Sequence, residues 1–156
     1  MAQSVDPKAI AAVQAADTDW DVATQMAADV DQVTVDTVMW LRLRDGAAEF
    51  ADYQAFLSRR ADWPGVDRLR AEGELLIDDS ITPAAVVAWF GDATPQTGEG
   101  AVHLARAQFA LEQPEAARET LRDTWINRRL TEDGQEAMIA AFGEELEPFH
   151  TARVDA

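Results

Sequence analysis

The sequence predicts an all-α fold in which about ten short antiparallel helices stack as an α-α superhelix. Three observations carry this expectation. Helix start and stop signals punctuate nearly the whole chain, while the period-2 alternation of strands is almost missing. The 156 residues are 47% hydrophobic and 27% charged, the balance of a globular chain that can bury a core of its own. The helices also pair, with pair starts near Thr34, Gly65, Thr97 and Thr131, spaced by 31, 32 and 34 residues.

The elements follow in order. Asp6-Pro7 places a good N-cap before a proline at the first helical position, opening a helix over Lys8 to Ala16. A second is expected over Asp19 to Asp29. Thr34 is the expected cap of a third, through Val35, Val38, Met39 and Leu43, stopped at Asp45-Gly46. Within Glu49 to Arg60, Phe50, Tyr53, Phe56 and Leu57 recur at helical offsets and share one face. Asp62-Trp63-Pro64-Gly65 then breaks the chain, because the residue before a proline disfavours the helical region. A fifth helix is expected over Val66 to Asp78, and Thr82-Pro83 opens Ala84 to Phe90, stopped at Gly91. Thr94 to Gly100 is the most turn-rich stretch, with a helix expected beyond it over Ala101 to Glu112. Pro114 opens Glu115 to Asn127, where Ala117, Leu121 and Trp125 align at steps of 4. Thr131 caps Glu132 to Phe142, with Gly143 as the stop, and Glu144 to Ala156 is expected to form a final helix.

Helix-turn-helix units recurring at this period mark an α-solenoid more than a closed bundle. Leu104-Ala105, Ala117 and Leu121 sit at offsets like those of a tetratricopeptide repeat, with Ala117 as the small residue that lets two helices approach. The other pairs match that pattern less well, so the array is tetratricopeptide-like. The five tryptophans, Trp20, Trp40, Trp63, Trp89 and Trp125, lie in or beside five different helices and are expected to pack as wedges between them. A platform for stacking sugar rings is the use left to an exposed member.

Charge and composition narrow the function. Thirteen Lys and Arg against 29 Asp and Glu give a net charge of −16, which argues against nucleic acid and against an anionic membrane surface. No apolar run approaches the length of a membrane span. The chain has no cysteine, which excludes disulfides, thiolate metal sites and thiol nucleophiles. Met1-Ala2-Gln3-Ser4 begins without a basic region and apolar run, so no signal peptide is expected. Asp17-Thr18-Asp19-Trp20-Asp21 starts like a calcium loop, but Val22 and Ala28 stand where Gly and Glu are needed. Helix capping by Asp17 or Asp19 is the simpler reading. His103 and His150 lie 47 residues apart, in no ligand spacing, and each is expected to be partly buried and hydrogen-bonded.

Thr97-Gly98-Glu99-Gly100 lacks the lysine and the preceding strand of a phosphate loop. Ser4, Ser58 and Ser80 have no histidine near them in sequence, and no carboxylate sits in a recognisable setting for glycoside cleavage. No catalytic, cofactor-binding or metal-ligating residue is therefore expected. The acidic runs Asp78-Asp79 and Glu144-Glu145-Leu146-Glu147 read as solvated helix ends, or else as a docking surface for a basic partner.

Phe56-Leu57-Ser58-Arg59-Arg60-Ala61-Asp62-Trp63-Pro64-Gly65, continuing to Leu69-Arg70-Ala71-Glu72, resembles the helical N-terminal region of soluble lytic murein transglycosylases. Val87-Ala88-Trp89-Phe90, Pro95-Gln96-Thr97-Gly98-Glu99-Gly100 and Leu104-Ala105-Arg106-Ala107 extend the resemblance. So do Ala116-Ala117, Leu121-Arg122-Asp123-Thr124-Trp125 and His150-Thr151-Ala152-Arg153-Val154-Asp155. It covers residues 50 to 156 well and the first 50 loosely. It implies a structural role for Trp63, Pro64, Glu72, Trp89, Phe90, Pro95, Thr97, Gly98, Gly100, Ala117 and Trp125.

In that family paired helices precede a lysozyme-like domain, which cuts between N-acetylmuramic acid and N-acetylglucosamine and leaves a 1,6-anhydro product. The family's catalytic Glu-Ser motif is not in this sequence, so no catalytic residue carries over. The resemblance implies a non-catalytic scaffold in the periplasm, formed as one superhelical domain over 1–156 of a longer chain, with Met1 placed just after a removed export signal. Its implied partners are the catalytic domain of the parent protein and peptidoglycan strands. A free-standing tetratricopeptide-like adaptor for protein partners is the alternative.

Overall fold

The computed structural model describes residues 4–154, which are helical with no strand among them. The helices are α1 (Pro7–Ala15), α2 (Trp20–Ala28), α3 (Gln32–Arg44), α4 (Phe50–Arg59), α5 (Val66–Glu74), α6 (Pro83–Phe90), α7 (Gly98–Ala110), α8 (Pro114–Asn127), α9 (Glu132–Leu146) and α10 (His150–Val154). A single 3-10 turn, Glu147–Phe149, separates the last two. The all-α expectation holds, and the helices opening near the expected pair starts begin at Gln32, Val66, Gly98 and Glu132.

Several boundaries move, each for a local reason. The cap of α3 is Asp31, not Thr34: Asp31 Oδ1 accepts from the Thr34 backbone N–H at 2.7 Å and from its hydroxyl at 2.8 Å. Thr34 thus occupies the third helical position, whose N–H a capping side chain commonly satisfies. Helix α5 ends at Glu74, short of the expected Asp78, and leaves Leu75 and Leu76 exposed. Helix α7 begins three residues before the expected Ala101, because Thr97 Oγ1 accepts from Gly100 N–H at 2.9 Å and caps it. Gly143 does not stop α9. The helix kinks at Phe142 (φ −141°, ψ 36°) and continues to Leu146. The expected single terminal helix is therefore divided among the end of α9, the 3-10 turn containing Pro148, and α10. Residues 155 and 156 of that expectation lie outside the described residues.

The chain divides into two compact units, Met1–Leu69 and Arg70–Ala156, with the boundary inside α5. In the first, α1, α2 and α3 pack on one another and α3 also meets α4. Ala12, Ala16, Ala23, Ala27 and Val38 form the buried centre, so the first helices approach through small side chains, with Trp20 and Met26 packed around them. Tyr53, buried on α4, donates its hydroxyl to the Leu43 carbonyl at 2.7 Å.

Asp36 is the charged member of this interior, with its side chain fully buried. Arg60 reaches it through Nη2 at 2.5 Å and Nε at 2.7 Å. Arg59 Nη2 lies 3.3 Å from its other oxygen, which also accepts from Gln32 Nε2 at 3.0 Å.

In the second unit α7 is central, packed on α6, α8 and α9. Ala101, Val102, Ala105, Ala117, Leu121, Trp125, Leu130, Met138 and Leu146 make its core. Ala117 is fully buried there, and α7 and α8 pack together.

The wedge expectation for the tryptophans holds for Trp125, 2% exposed, while Trp20, Trp40, Trp63 and Trp89 are half-buried. Trp20 packs against the alanine cluster of the first helices, while Trp40 and Trp63 find their partners elsewhere in the unit. Trp40 Nε1 donates to the Pro64 carbonyl at 2.9 Å, with the Arg44 guanidinium 4.5 Å from its ring centre. Trp63 meets Phe56 edge-on at 5.9 Å.

Trp125→Ala should therefore cost about 3–5 kcal/mol, and the half-buried Trp89→Ala less than half of that. Urea unfolding of the two variants checks this, and equal losses would place Trp89 in the core.

Candidate functional site

The most elaborate side-chain arrangement of the second unit is assembled around Glu74, the last residue of α5. Its side chain is 2% exposed, and it accepts from the turn that opens α7. Gln96 N–H lies 2.8 Å from Oε1 and 3.0 Å from Oε2. Thr97 N–H and the Thr97 hydroxyl reach Oε2 at 2.8 and 2.7 Å. Thr97 thus donates its hydroxyl proton to Glu74 while the same oxygen accepts from Gly100 N–H. The carboxylate sits where the unpaired N–H groups and dipole of a helix N-terminus favour negative charge. Burial pushes the Glu74 carboxyl above its ordinary value, and the Gln96 and Thr97 bonds and the Arg128 charge oppose that rise without cancelling it. Arg128 Nη2 also donates to the Thr94 carbonyl at 3.3 Å, tying down the chain just before the turn.

The two glycines of this turn are required by close approach. A Cβ on Gly100 would overlap the Glu74 carboxyl group, and one on Gly98 would overlap the Gly134 backbone at the start of α9. That second start repeats the first. Thr131 Oγ1 accepts from Gly134 N–H at 3.1 Å, and Glu99 Oε2 stands beside Gly134.

Clefts flank this framework. One of about 270 Å³ has Asp92, Thr94 and Pro95 on one side and Gln108, Glu119 and Asp123 of α7 and α8 on the other. Arg122 lies 2.9 Å from Asp123, so part of its acidity is internally paired. A second, of about 320 Å³, lies between α7 (Glu99, Val102, His103, Arg106) and α9 (Ala137, Ala140, Ala141). Burial and the Arg106 charge lower the His103 pKa, against Asp79, Asp78 and Glu99. In the first unit an apolar groove of about 330 Å³ runs between α1 (Ile10, Val13) and α3 (Val33, Thr37).

The structure sets Thr97 and Gly100 against Glu74 and Gly98 against Gly134, with Pro95 buried just before them, and it places Ala117 and Trp125 in the core of the same unit. Phe90 is buried, while Glu72 and Trp89 are half-buried. Trp63 and Pro64 belong to the first unit, where the Pro64 carbonyl anchors Trp40. Asp19 caps α2, accepting from Asp21 and Val22 N–H at 2.9 and 3.1 Å, as the capping reading expects. His103 is half-buried, but His150 is exposed and stands edge-on to Trp125 at 5.3 Å, contrary to the expectation of partial burial. The turn around Pro148 leaves the imidazole at the margin of the core instead of within it. Sequence reasoning missed Glu74 and Asp36. In the stretch expected to be helical through Asp78, Glu74 stands three residues before Ile77, but the helix ends at Glu74, so that spacing does not reveal its burial.

No protein-family model matches this chain, and no curated protein or solved structure matches it at a significant level.

Glycine substitutions separate close approach from simple helix propensity. Gly98→Ala and Gly100→Ala should each destabilise, the latter by about 1–3 kcal/mol as buried donors lose their acceptor. Gly143→Ala, which has room for a methyl group, should be neutral or stabilising by up to about 1 kcal/mol. Thermal midpoints measure all three.

Proposed function

We propose that this chain is a non-catalytic helical scaffold: a tetratricopeptide-like superhelical domain of a periplasmic peptidoglycan lytic transglycosylase, supporting a lysozyme-like catalytic domain of the same parent protein. The observation that carries the reading is the use made of the Pro95–Gly100 turn. Residues that carry the family resemblance are gathered around a buried carboxylate and spent on fastening helices together. The packing order supports a repeated array, because α1 meets both α2 and α3, and α7 meets both α8 and α9. Glycan strands would then be guided toward chemistry performed elsewhere in the parent chain.

The adaptor reading draws on a different observation, the polar cleft with Asp92, Glu119 and Asp123, whose charge suits a basic peptide.

Two measurements test these readings. Purified chain incubated with isolated sacculi should release no 1,6-anhydromuropeptides, and release would overturn the non-catalytic reading. Sequencing the source gene beyond the codon for Ala156 should reveal a lysozyme-like domain with a Glu-Ser motif. A stop codon there would sink the scaffold reading and favour the adaptor.

A further inference from the structure

We propose that residues 143–154 form a hinged strap that lifts about Phe142 and bares Trp125 while the rest of the second unit stays folded. The strap is independent of the scaffold reading, since it rests on backbone geometry and packing alone.

The hinge lies where α9 breaks. Helical geometry is lost at one residue, Phe142 (φ −141°, ψ 36°), and α9 then runs on to Leu146. Gly143 follows directly, a residue with a wide choice of backbone conformations. Outside its own helix backbone, a Cβ there would meet Ile139 Cγ2 at 3.9 Å, an ordinary contact. Turning at this point therefore disturbs no close packing around Gly143. Phe142 itself stays with the unit, its ring stacked on Phe109 of α7 at 5.7 Å. Beyond the hinge, the 3-10 turn with Pro148 brings the chain against α8, which it meets again in α10.

A few apolar and aromatic contacts hold the strap down. Leu146 is fully buried in the cluster that contains Trp125, and Phe149 packs against that cluster. The His150 ring stands edge-on to the Trp125 indole at 5.3 Å. His150, Thr151 and Ala152 are exposed, so water reaches the margin of this seat. Trp125 is buried with the strap in place.

Charge works against the closed position. Glu144 and Glu145 lie in the last turn of α9, which has no basic residue, and Glu147 follows. Negative charge is unfavourable at a helix C-terminus, so these carboxylates weaken the turn that carries Leu146 to its seat. Once lifted, the strap does not stay helical, because segments this short are unstable alone. The centre of α7 and α8 has no such weakness: Ala101, Ala105, Ala117 and Leu121 are fully buried there. Opening of the strap thus costs less than unfolding of the unit.

The chain has no cysteine, so a single introduced thiol reports on its own position. Leu146→Cys places one beneath the strap, and Leu121→Cys, equally buried on α8, is the reference. In native buffer N-ethylmaleimide should modify the thiol at 146 at least about tenfold faster than the thiol at 121. The faster rate should barely respond to low urea, because little surface is exposed when only the strap opens. Fraying of the last few residues alone would leave both thiols equally slow. Because Leu146→Cys itself loosens the seat, amide exchange is also measured in the unaltered chain. The Glu147 N–H, bonded to the Gly143 carbonyl, should be at least about tenfold less protected than the amides of Leu104 and Ala105 in α7. Equal labelling at 146 and 121, a rate at 146 that climbs with urea as steeply as that at 121, or equal protection of Glu147 and α7 would overturn the strap.

Discussion

A carboxylate taken out of water has to be met by donors, and each unit of this chain is organised around one that is. Asp36 gathers Gln32, Arg59 and Arg60, joining α3 to the end of α4 just before the Trp63-Pro64 break. Glu74 gathers Gln96 and Thr97, joining the end of α5 to the start of α7. Apolar contacts slide at little cost, whereas a buried anion loses heavily if its donors move by an ångström or two. In the first unit such a contact fixes α3 against the end of α4, alongside the buried Leu43, Tyr53 and Phe56. The two sites differ in kind. Asp36 is met by long side chains, two of them cationic, and Glu74 mainly by backbone N–H groups whose positions the turn itself dictates.

Close approach is the second consequence. Because Glu74 lies against the first turn of α7, that turn has no room for a side chain at Gly100, and Gly98 meets Gly134 backbone to backbone. Glycine ordinarily weakens a helix by about 1 kcal/mol relative to alanine. Here Thr97 and Thr131 offset the loss by capping α7 and α9 with the same threonine-to-glycine bond. The turn-rich look of Thr94 to Gly100 and the early start of α7 therefore share one cause. The glycines that suggest a loop are the ones that let the helix begin against its neighbours.

This explains which features could be read from the sequence. Caps such as Asp6-Pro7, Thr82-Pro83 and Thr131 act over three residues, so the helices they open were legible. The residues Pro95, Thr97, Gly98 and Gly100 were legible as a group, but not their purpose, because Glu74 lies 22 and 23 residues from its donors. Asp36 and Arg60 are separated by 24. A periodicity argument counts Asp and Glu as surface residues and cannot see a partner at that distance. The tryptophans were legible in part. Trp125 enters the core and Trp20 packs against the alanine cluster of the first helices, whereas Trp40 is held from the side by the Pro64 carbonyl and the Arg44 guanidinium group, partners that periodicity does not reveal.

The same placements alter the meaning of a net charge of −16. Twelve arginines and a single lysine supply the positive charge, and several of the arginines are paired: Arg59 and Arg60 with Asp36, and at the surface Arg122 with Asp123 and Arg118 with Glu115. Pairing at Asp36 buries one carboxylate, while the side chain of Arg59 stays half exposed and that of Arg60 about one-third exposed, so both guanidinium charges remain partly at the surface. Glu74 takes its donors mainly from the backbone, and Arg128 acts on it by charge. A chain with this charge repels polyanions over the range of the Debye length, about 8 Å at physiological salt. Uncharged glycan segments would be insensitive to that field at first contact, whereas a basic peptide would be drawn in and released by added salt. The scaffold and adaptor readings thus differ in the response to ionic strength they predict, little for a neutral glycan segment and weakening by salt for a basic peptide.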